Sequence, residues 1–150
     1  MLKIGDQAPE ISLHTDTGED FHLSDLKGKR VVLYFYPKAD TPGCTVEACE
    51  FRDDIKAFAG KGAAVVGVSP DRPAAQAKFK QKYELPFTLL ADEEKAAAQA
   101  YGVWKEKNMY GRKAMGIERT TFVIGADGKI EKIYGKVKAK GHAAAVLAEL

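Results

Sequence analysis

The pattern of apolar and polar residues along the chain predicts strands that alternate with helices. Three continuous apolar runs are typical of strands buried on both faces: Arg30–Tyr36, Ala63–Val68 and Phe87–Leu90. Four segments have helical patterns, at roughly Pro42–Ala59, Pro73–Tyr83, Glu93–Tyr101 and Gly141–Leu150. This alternation predicts an α/β fold with a central mixed β-sheet flanked by helices on both faces.

Turn residues predict two β-hairpins. The turn DTGE at residues 16–19 lies between ISLHT and FHLSDL and predicts an N-terminal β-hairpin. Asp127-Gly128 separates the strands Thr120–Ile124 and Lys129–Tyr134. The segment Lys105–Glu118 has no clear periodicity, so we expect a long loop there, either functional or a solvated connection.

Length and charge narrow the class of protein. The 150 residues fit one domain, residues 1–150, which is large enough to fold without a disulfide or a metal. The 23 basic and 21 acidic residues leave a net charge of +2, which predicts no nucleic-acid partner. No apolar run is long enough for a signal peptide or a membrane span. We therefore expect a cytoplasmic protein with no membrane partner.

The two cysteines of the chain, Cys44 and Cys49, stand five positions apart just after the first apolar run. Three interpretations are open at this point: a structural disulfide, a pair of metal ligands, or a reactive thiol with a partner. In a reducing cytosol, two cysteines this close in sequence are more often catalytic or metal-binding than a permanent disulfide.

The residues before Cys44 predict the start of a helix. Thr41 is a good N-cap, whose side-chain oxygen can accept the N–H of the third helical residue, and Pro42 suits the first helical position. Cys44 is then the third residue, where unpaired N–H groups and the helix dipole favour a thiolate. Cys44 also heads an apolar stripe that continues with Ala48, Phe51, Ile55 and Phe58. We expect Cys44 to be partly buried, either as a reactive thiol or as a small apolar residue of that stripe.

Helix geometry constrains the interpretation of the cysteine pair. In an intact helix the two Cα atoms lie about 8.7 Å apart, whereas a disulfide needs less than about 7 Å. The pair can therefore bond only if the first turns of the helix unwind. A closed zinc site needs two further ligands, and no histidine is close in sequence: the chain has His14, His22 and His142. We expect no metal and no bound cofactor.

With these elements in place, the sequence resembles the peroxiredoxin family. The spacing Pro37-x-x-x-Thr41-x-x-Cys44 matches the family's active-site motif, and FYPKADTPGCTVEACEFRD is similar to the bacterioferritin comigratory protein subfamily, also called peroxiredoxin Q. Further similarity lies in IGDQAPEISL, LLADEEKAAAQAYGVW and GIERTTFVIGADGKI, so the resemblance covers essentially the whole chain. It implies a thioredoxin-like fold and a thiol-dependent peroxidase of antioxidant defence that reduces hydrogen peroxide and organic hydroperoxides.

The resemblance also implies roles for individual residues. Cys44 would be the peroxidatic cysteine, which attacks the hydroperoxide and becomes a sulfenic acid. Thr41 and Pro37 would shape its pocket. Arg119 would be the active-site arginine. Without the motif, a surface charge at the start of a strand is an equally good interpretation of this residue. Glu47 would help to orient that arginine.

The resemblance assigns Cys49 as the resolving cysteine. It would attack the sulfenic acid to form an intramolecular Cys44–Cys49 disulfide, as in an atypical 2-Cys peroxiredoxin. Thioredoxin or a similar dithiol would then reduce this bond. Because both cysteines lie in one chain, we expect a monomer.

Two other functions compete with this one. A general thiol–disulfide oxidoreductase on the same fold relies on C-x-x-C, and the longer spacing of this pair argues against it. A redox sensor without enzymatic turnover would use the disulfide to expose a surface to a partner. Thr41 and Arg119, which activate a peroxide, favour catalysis over sensing.

Overall fold

A computed structural model of the chain describes the backbone of residues 1–150 and all side chains except that of Met109. The strands are β1 Ser12–Thr15, β2 Asp20–His22, β3 Arg30–Phe35, β4 Ala63–Ser69, β5 Thr88–Ala91, β6 Trp104–Met109, β7 Arg112–Ile117, β8 Thr120–Ile124 and β9 Ile130–Tyr134. The helices are α1 Pro42–Asp53, α2 Ile55–Gly60, α3 Pro73–Tyr83, α4 Ala96–Ala100 and α5 His142–Ala148, with a short 3-10 helix at Leu23–Leu26.

Seven strands form the predicted central mixed sheet, in the order β2-β1-β5-β4-β3-β8-β9. Strands β3, β4 and β5 are parallel neighbours, while β1, β8 and β9 pair antiparallel. Both predicted hairpins form, as β1–β2 and β8–β9. The strand that leads to the cysteines, β3, lies between β4 and β8 and is buried from its second residue onward.

Helices cover the sheet on both faces, as predicted. Alternate side chains of a strand point to opposite faces, so β3 contributes to two separate hydrophobic clusters. Val32 and Tyr34 pack with residues of α1, α2, α3 and α5. Leu33 and Phe35 pack on the other face, with residues of α4. Among the described residues, no helix combines the length and the apolar character needed to cross a membrane.

The helix predicted over Pro42–Ala59 is instead two helices. α1 ends at Asp53, and Asp54 leaves the helical conformation with φ −99° and ψ 7° before α2 begins. Two consecutive aspartates weaken a helix interior, because a short carboxylate competes for backbone N–H groups. Phe58 of α2 is fully buried, while Ile55 is only partly buried.

The loop expected at Lys105–Glu118 is also corrected, because the structure has a third hairpin there. Strands β6 and β7 form a separate two-stranded antiparallel sheet. Tyr110 and Gly111 connect them, both with positive φ, at 54° and 79°, which is the pattern of a tight hairpin turn. Most residues of β7 are exposed, so no apolar alternation marks these strands in the sequence.

Candidate active site

The site is built at the start of α1, just after β3. Thr41 is the N-cap residue, with an extended backbone, and Pro42 and Cys44 occupy the first and third helical positions as predicted. The predicted side-chain cap is wrong. The Thr41 hydroxyl donates to the carbonyl of Lys38 at 2.8 Å and makes no capping hydrogen bond. The first-turn N–H groups therefore have no side-chain acceptor from Thr41.

Cys44 lies deeper than the sequence pattern indicates. Its residue is 1% exposed, and it joins the cluster formed by α1, α3 and β3. The guanidinium of Arg119 covers it, with 3.2 Å between Arg119 Nη2 and Cys44 Sγ. A methyl group on Gly43 would lie 3.2 Å from the same Nη2, so the absence of a side chain there admits the guanidinium. Gly43 was not predicted as a site residue, although its place beside the cysteine was a usable signal.

Arg119 also contacts Glu47, one helical turn beyond Cys44. Arg119 Nη1 donates to Glu47 Oε1 at 2.6 Å, so one guanidinium bridges the sulfur and the carboxylate. The backbone of Arg119 is fixed as well, because its carbonyl accepts from the N–H of Val137 at 2.9 Å. Such a planar donor, fixed at both ends, can present N–H groups to a third atom near the sulfur.

The two carboxylate oxygens of the buried Glu47 differ in their hydrogen bonding. Its residue is fully buried, and its second oxygen, Oε2, has no hydrogen-bond partner among the described residues. Burial raises the pKa of Glu47 to about 7, against the opposite effect of Arg119. The lack of a partner on Oε2 gives the physical reason why the loss of water outweighs the ion pair.

Tyr34 lies in the same buried neighbourhood and was not expected there. Burial raises the pKa of Tyr34 well above its usual value, with smaller contributions from Tyr36, Glu47 and Cys44. Its ring stacks on Phe51 of α1, with 4.7 Å between centroids. Its hydroxyl has no hydrogen-bond partner among the described residues. The apolar pattern of β3 predicts Tyr34 only as an aromatic residue of the core. It gives no signal for a buried hydroxyl beside the site.

A polar network that runs from buried Tyr36, Ser69 and Gln76 to partly buried Asp71 holds the loop between β3 and α1. The N–H of Ala39 donates to Asp71 Oδ2 at 2.7 Å, and Ser69 Oγ donates to the same oxygen at 2.6 Å. Gln76 joins Ser69 to the end of β3, because its amide donates to Ser69 Oγ at 2.9 Å and accepts from the Tyr36 hydroxyl at 2.5 Å. Sequence reasoning missed this network. The available signal was that β3 and β4 are parallel neighbours, so that the residues after their carboxyl ends lie close together.

Two predicted site residues remain, Pro37 and Cys49. Pro37 is partly buried between the end of β3 and Thr41. Cys49 lies further along α1, partly buried, and both cysteines are free thiols. The structure therefore brings Cys44, Glu47 and Arg119 into contact, while Cys49 stays apart from Cys44 in an intact helix. The described residues contain no group of three or more His, Cys, Asp or Glu side chains placed to hold a metal ion.

Comparisons with known proteins identify the class: the chain is a peroxiredoxin, a thiol peroxidase on a thioredoxin-like fold. The chain belongs to the AhpC/TSA family, whose model matches residues 4–133. Within it, the chain groups with the Bcp, or peroxiredoxin Q, proteins.

Individual relatives match over nearly the full length. The chain is 51% identical over 149 residues to a putative peroxiredoxin bcp of Coxiella burnetii, covering 99% of each chain. It is equally 51% identical over 149 residues to peroxiredoxin Bcp of Bacillus subtilis, covering 99% of this chain and 95% of the relative. The crystal structure of a mutant PrxQ from Xylella fastidiosa superposes with a TM-score of 0.94 at 36% identity, over 99% of this chain and 95% of that one.

Proposed function

We propose that this peroxiredoxin reduces hydrogen peroxide and organic hydroperoxides through Cys44, closes a Cys44–Cys49 disulfide, and is recycled by thioredoxin or a similar dithiol. It would act as a monomer in antioxidant defence, and a cytoplasmic location stays a prediction. The observation that carries the proposal is the 3.2 Å contact between Cys44 Sγ and Arg119 Nη2 at the start of α1.

The first step is attack of the Cys44 thiolate on one oxygen of the hydroperoxide. A sulfur–oxygen bond forms as the O–O bond breaks, which leaves a sulfenic acid on Cys44 and an alkoxide or hydroxide that takes up a proton. Negative charge moves from the sulfur to the leaving oxygen. Arg119 and the free N–H groups of the first turn of α1 are placed to stabilise that charge.

Glu47 acts on this step through Arg119. The 2.6 Å hydrogen bond between them fixes the plane of the guanidinium, so that Nη2 stays directed at the sulfur. Thr41 and Pro37 contribute by shape, since they set the direction in which the chain enters α1. We therefore assign Arg119 as the electrostatic catalyst and Glu47 as its positioning residue.

The second step is closure of the disulfide. The Cys49 thiolate attacks the Cys44 sulfur; a sulfur–sulfur bond forms, the sulfur–oxygen bond breaks, and the hydroxide that leaves becomes water on protonation. Both cysteines belong to α1, where their Cα atoms in an ideal helix are about 8.7 Å apart, so the first turns must unwind. A dithiol then reduces the bond by thiol–disulfide exchange.

The test is peroxide consumption by the pure protein, with thioredoxin, its reductase and NADPH, compared with Cys44→Ser. We expect sustained turnover in the wild type and none in Cys44→Ser with any reductant. Residual activity of Cys44→Ser above a few per cent would refute the assignment of Cys44. Stoichiometric oxidation of the wild type without turnover would support a sensor, and light scattering of the same sample tests the monomer.

A further inference from the structure

The end of α3 contacts the chain on both sides of the two cysteines. The Tyr83 hydroxyl donates to Asp40 Oδ1 at 2.8 Å, two residues before α1 begins. The carbonyl of the same Tyr83 accepts from Arg52 Nη1 at 2.8 Å, in the last turn of α1. Lys82 adds an ion pair, with 2.9 Å between its Nζ and Asp40 Oδ2. We call these four residues the α3 clamp.

Asp40 is the strained member of the α3 clamp. Its φ of 60° lies in the left-handed region, which costs free energy for a residue with a side chain. Both of its carboxylate oxygens are bonded by α3, which stabilises the charged form and lowers the pKa of Asp40. The next residue, Thr41, is the N-cap of α1. The conformation that starts α1 is therefore held in part by a side chain of another helix.

The two ends of the α3 clamp differ in how firmly the rest of the protein fixes the chain there. At the Arg52 end, α1 is also fixed by Phe51, which is fully buried. At the Asp40 end, the clamp bonds are half-exposed, with Asp40 and Lys82 side chains 42% and 58% exposed. Unwinding of α1 for disulfide closure therefore starts at the Asp40 end, where the bonds from Lys82 and Tyr83 oppose it.

We propose that Tyr83 is a positioning residue that, through Asp40, sets how readily the first turns of α1 open and hence the rate of Cys44–Cys49 closure. The consequence for disulfide formation rests on the proposed function, whereas the opening of α1 does not. The hydrogen bond is intact only in the closed helix, so its loss favours the open form. It contributes nothing to the attack of Cys44 on peroxide, which takes place in the closed helix.

The variant Tyr83→Phe tests this, because it keeps the ring and the carbonyl bond to Arg52 and removes only the hydroxyl. Closure is followed by quenched flow and mass spectrometry after one equivalent of hydrogen peroxide. We expect closure to be two- to fivefold faster, as suits one half-exposed bond to a carboxylate, with an unchanged rate of the peroxide step. At high peroxide, the fraction over-oxidised to sulfinic acid should fall by a similar factor.

A matched control is Tyr134→Phe, which removes a bond of the same kind, from the Tyr134 hydroxyl to Glu149 Oε1 at 2.6 Å. It should leave closure unchanged. In Asp40→Gly, which tolerates the positive φ, the further change Tyr83→Phe should have no additional effect. An equal acceleration by Tyr83→Phe and Tyr134→Phe, or a changed peroxide step in Tyr83→Phe, would overturn the proposal.

Hydrogen exchange of the reduced protein separates this inference from the proposed function. In Tyr83→Phe, amides of residues 43–50 should exchange two- to fivefold faster, while amides of β3 keep their rates. If exchange and closure are both unchanged, the inference is wrong. If the wild type forms no Cys44–Cys49 disulfide, the proposed function fails, and the exchange rates alone decide whether Tyr83 holds α1 closed.

Discussion

The buried carboxyl of Glu47 makes a specific prediction about the pH dependence of stability. Burial raises its pKa from an ordinary 4.5 to about 7. The folded protein therefore binds this proton more tightly than the unfolded chain does. The resulting stabilisation is fully present below about pH 4.5 and is lost as the pH rises through about 7.

The magnitude follows from the two pKa values. The rise in the pKa of Glu47 from 4.5 in the unfolded chain to about 7 in the folded protein corresponds to about 3 kcal/mol of unfolding free energy. Each tenfold change in proton affinity contributes roughly 1.4 kcal/mol. Glu47→Gln is neutral at all pH values and lacks this dependence. Relative to the parent, it should therefore gain about 3 kcal/mol between pH 4.5 and pH 8, on top of a constant offset for the altered bond to Arg119.

Urea unfolding of matched pairs measures this difference. Both proteins carry Cys44→Ser, so that no thiol at the site titrates, and the difference between them cancels the other ionisable groups. Glu131→Gln is the control, because its ion pair with Arg30 is half-exposed at 42% and 33% and should change by less than about 1 kcal/mol over this range. A constant difference for Glu47→Gln would refute the reasoning. A parent that instead gains stability relative to Glu47→Gln between pH 3 and 5 would show that Arg119 outweighs burial.

Three further predictions concern single side chains. Arg119→Met should keep the fold, judged by its unfolding midpoint, yet slow the peroxide step at least ~100-fold in stopped flow, about 2.7 kcal/mol; an unchanged rate would assign that role elsewhere. Cys49→Ser should react once at nearly the wild-type rate, then accumulate sulfenic or sulfinic acid by mass and lose thioredoxin-supported turnover; normal turnover would refute a resolving role. Tyr36→Phe should lower the unfolding free energy by about 1–3 kcal/mol in urea, because buried Gln76 Oε1 loses its 2.5 Å donor. Tyr34→Phe is its matched control and should cost less, since the Tyr34 hydroxyl has no partner among the described residues; equal losses would contradict this account.

The central sheet could be predicted because burial on both faces leaves a continuous apolar run in the sequence. β3 and β4 have this pattern, and their predicted bounds differ from the observed ones by a single residue. The β6–β7 hairpin could not be predicted in the same way. Most residues of β7 are exposed, and the turn at Tyr110-Gly111 places a tyrosine where a hairpin signal usually has asparagine or aspartate.

The features of the site that depend on local interactions could be predicted from the sequence, whereas those that depend on distant residues could not. Positions within α1 follow from cap and proline chemistry over a few residues, so the place of Cys44 was predictable from the sequence. Its contact with Arg119 spans 75 residues of the chain, and only the family resemblance indicated it. Local reasoning also made Cys44 too exposed, because the covering guanidinium comes from outside the helix.

Burial of Glu47 and opening of α1 are coupled, because Glu47 lies between the two cysteines. Unwinding the first turns returns its carboxylate to water, which reverses the burial that raises its pKa to about 7. Above that pH, the free energy recovered offsets part of the lost bond to Arg119. The neutral side chain in Glu47→Gln loses less hydration on burial than a carboxylate does, so unwinding recovers less free energy in this variant. At pH 8 the disulfide of Glu47→Gln should therefore close more slowly than that of the wild type. At pH 5, where Glu47 is protonated, the two rates should be similar. Closure rates measured after saturating peroxide at the two pH values check this, and equal slowing at both would show that the carboxylate acts only by holding Arg119.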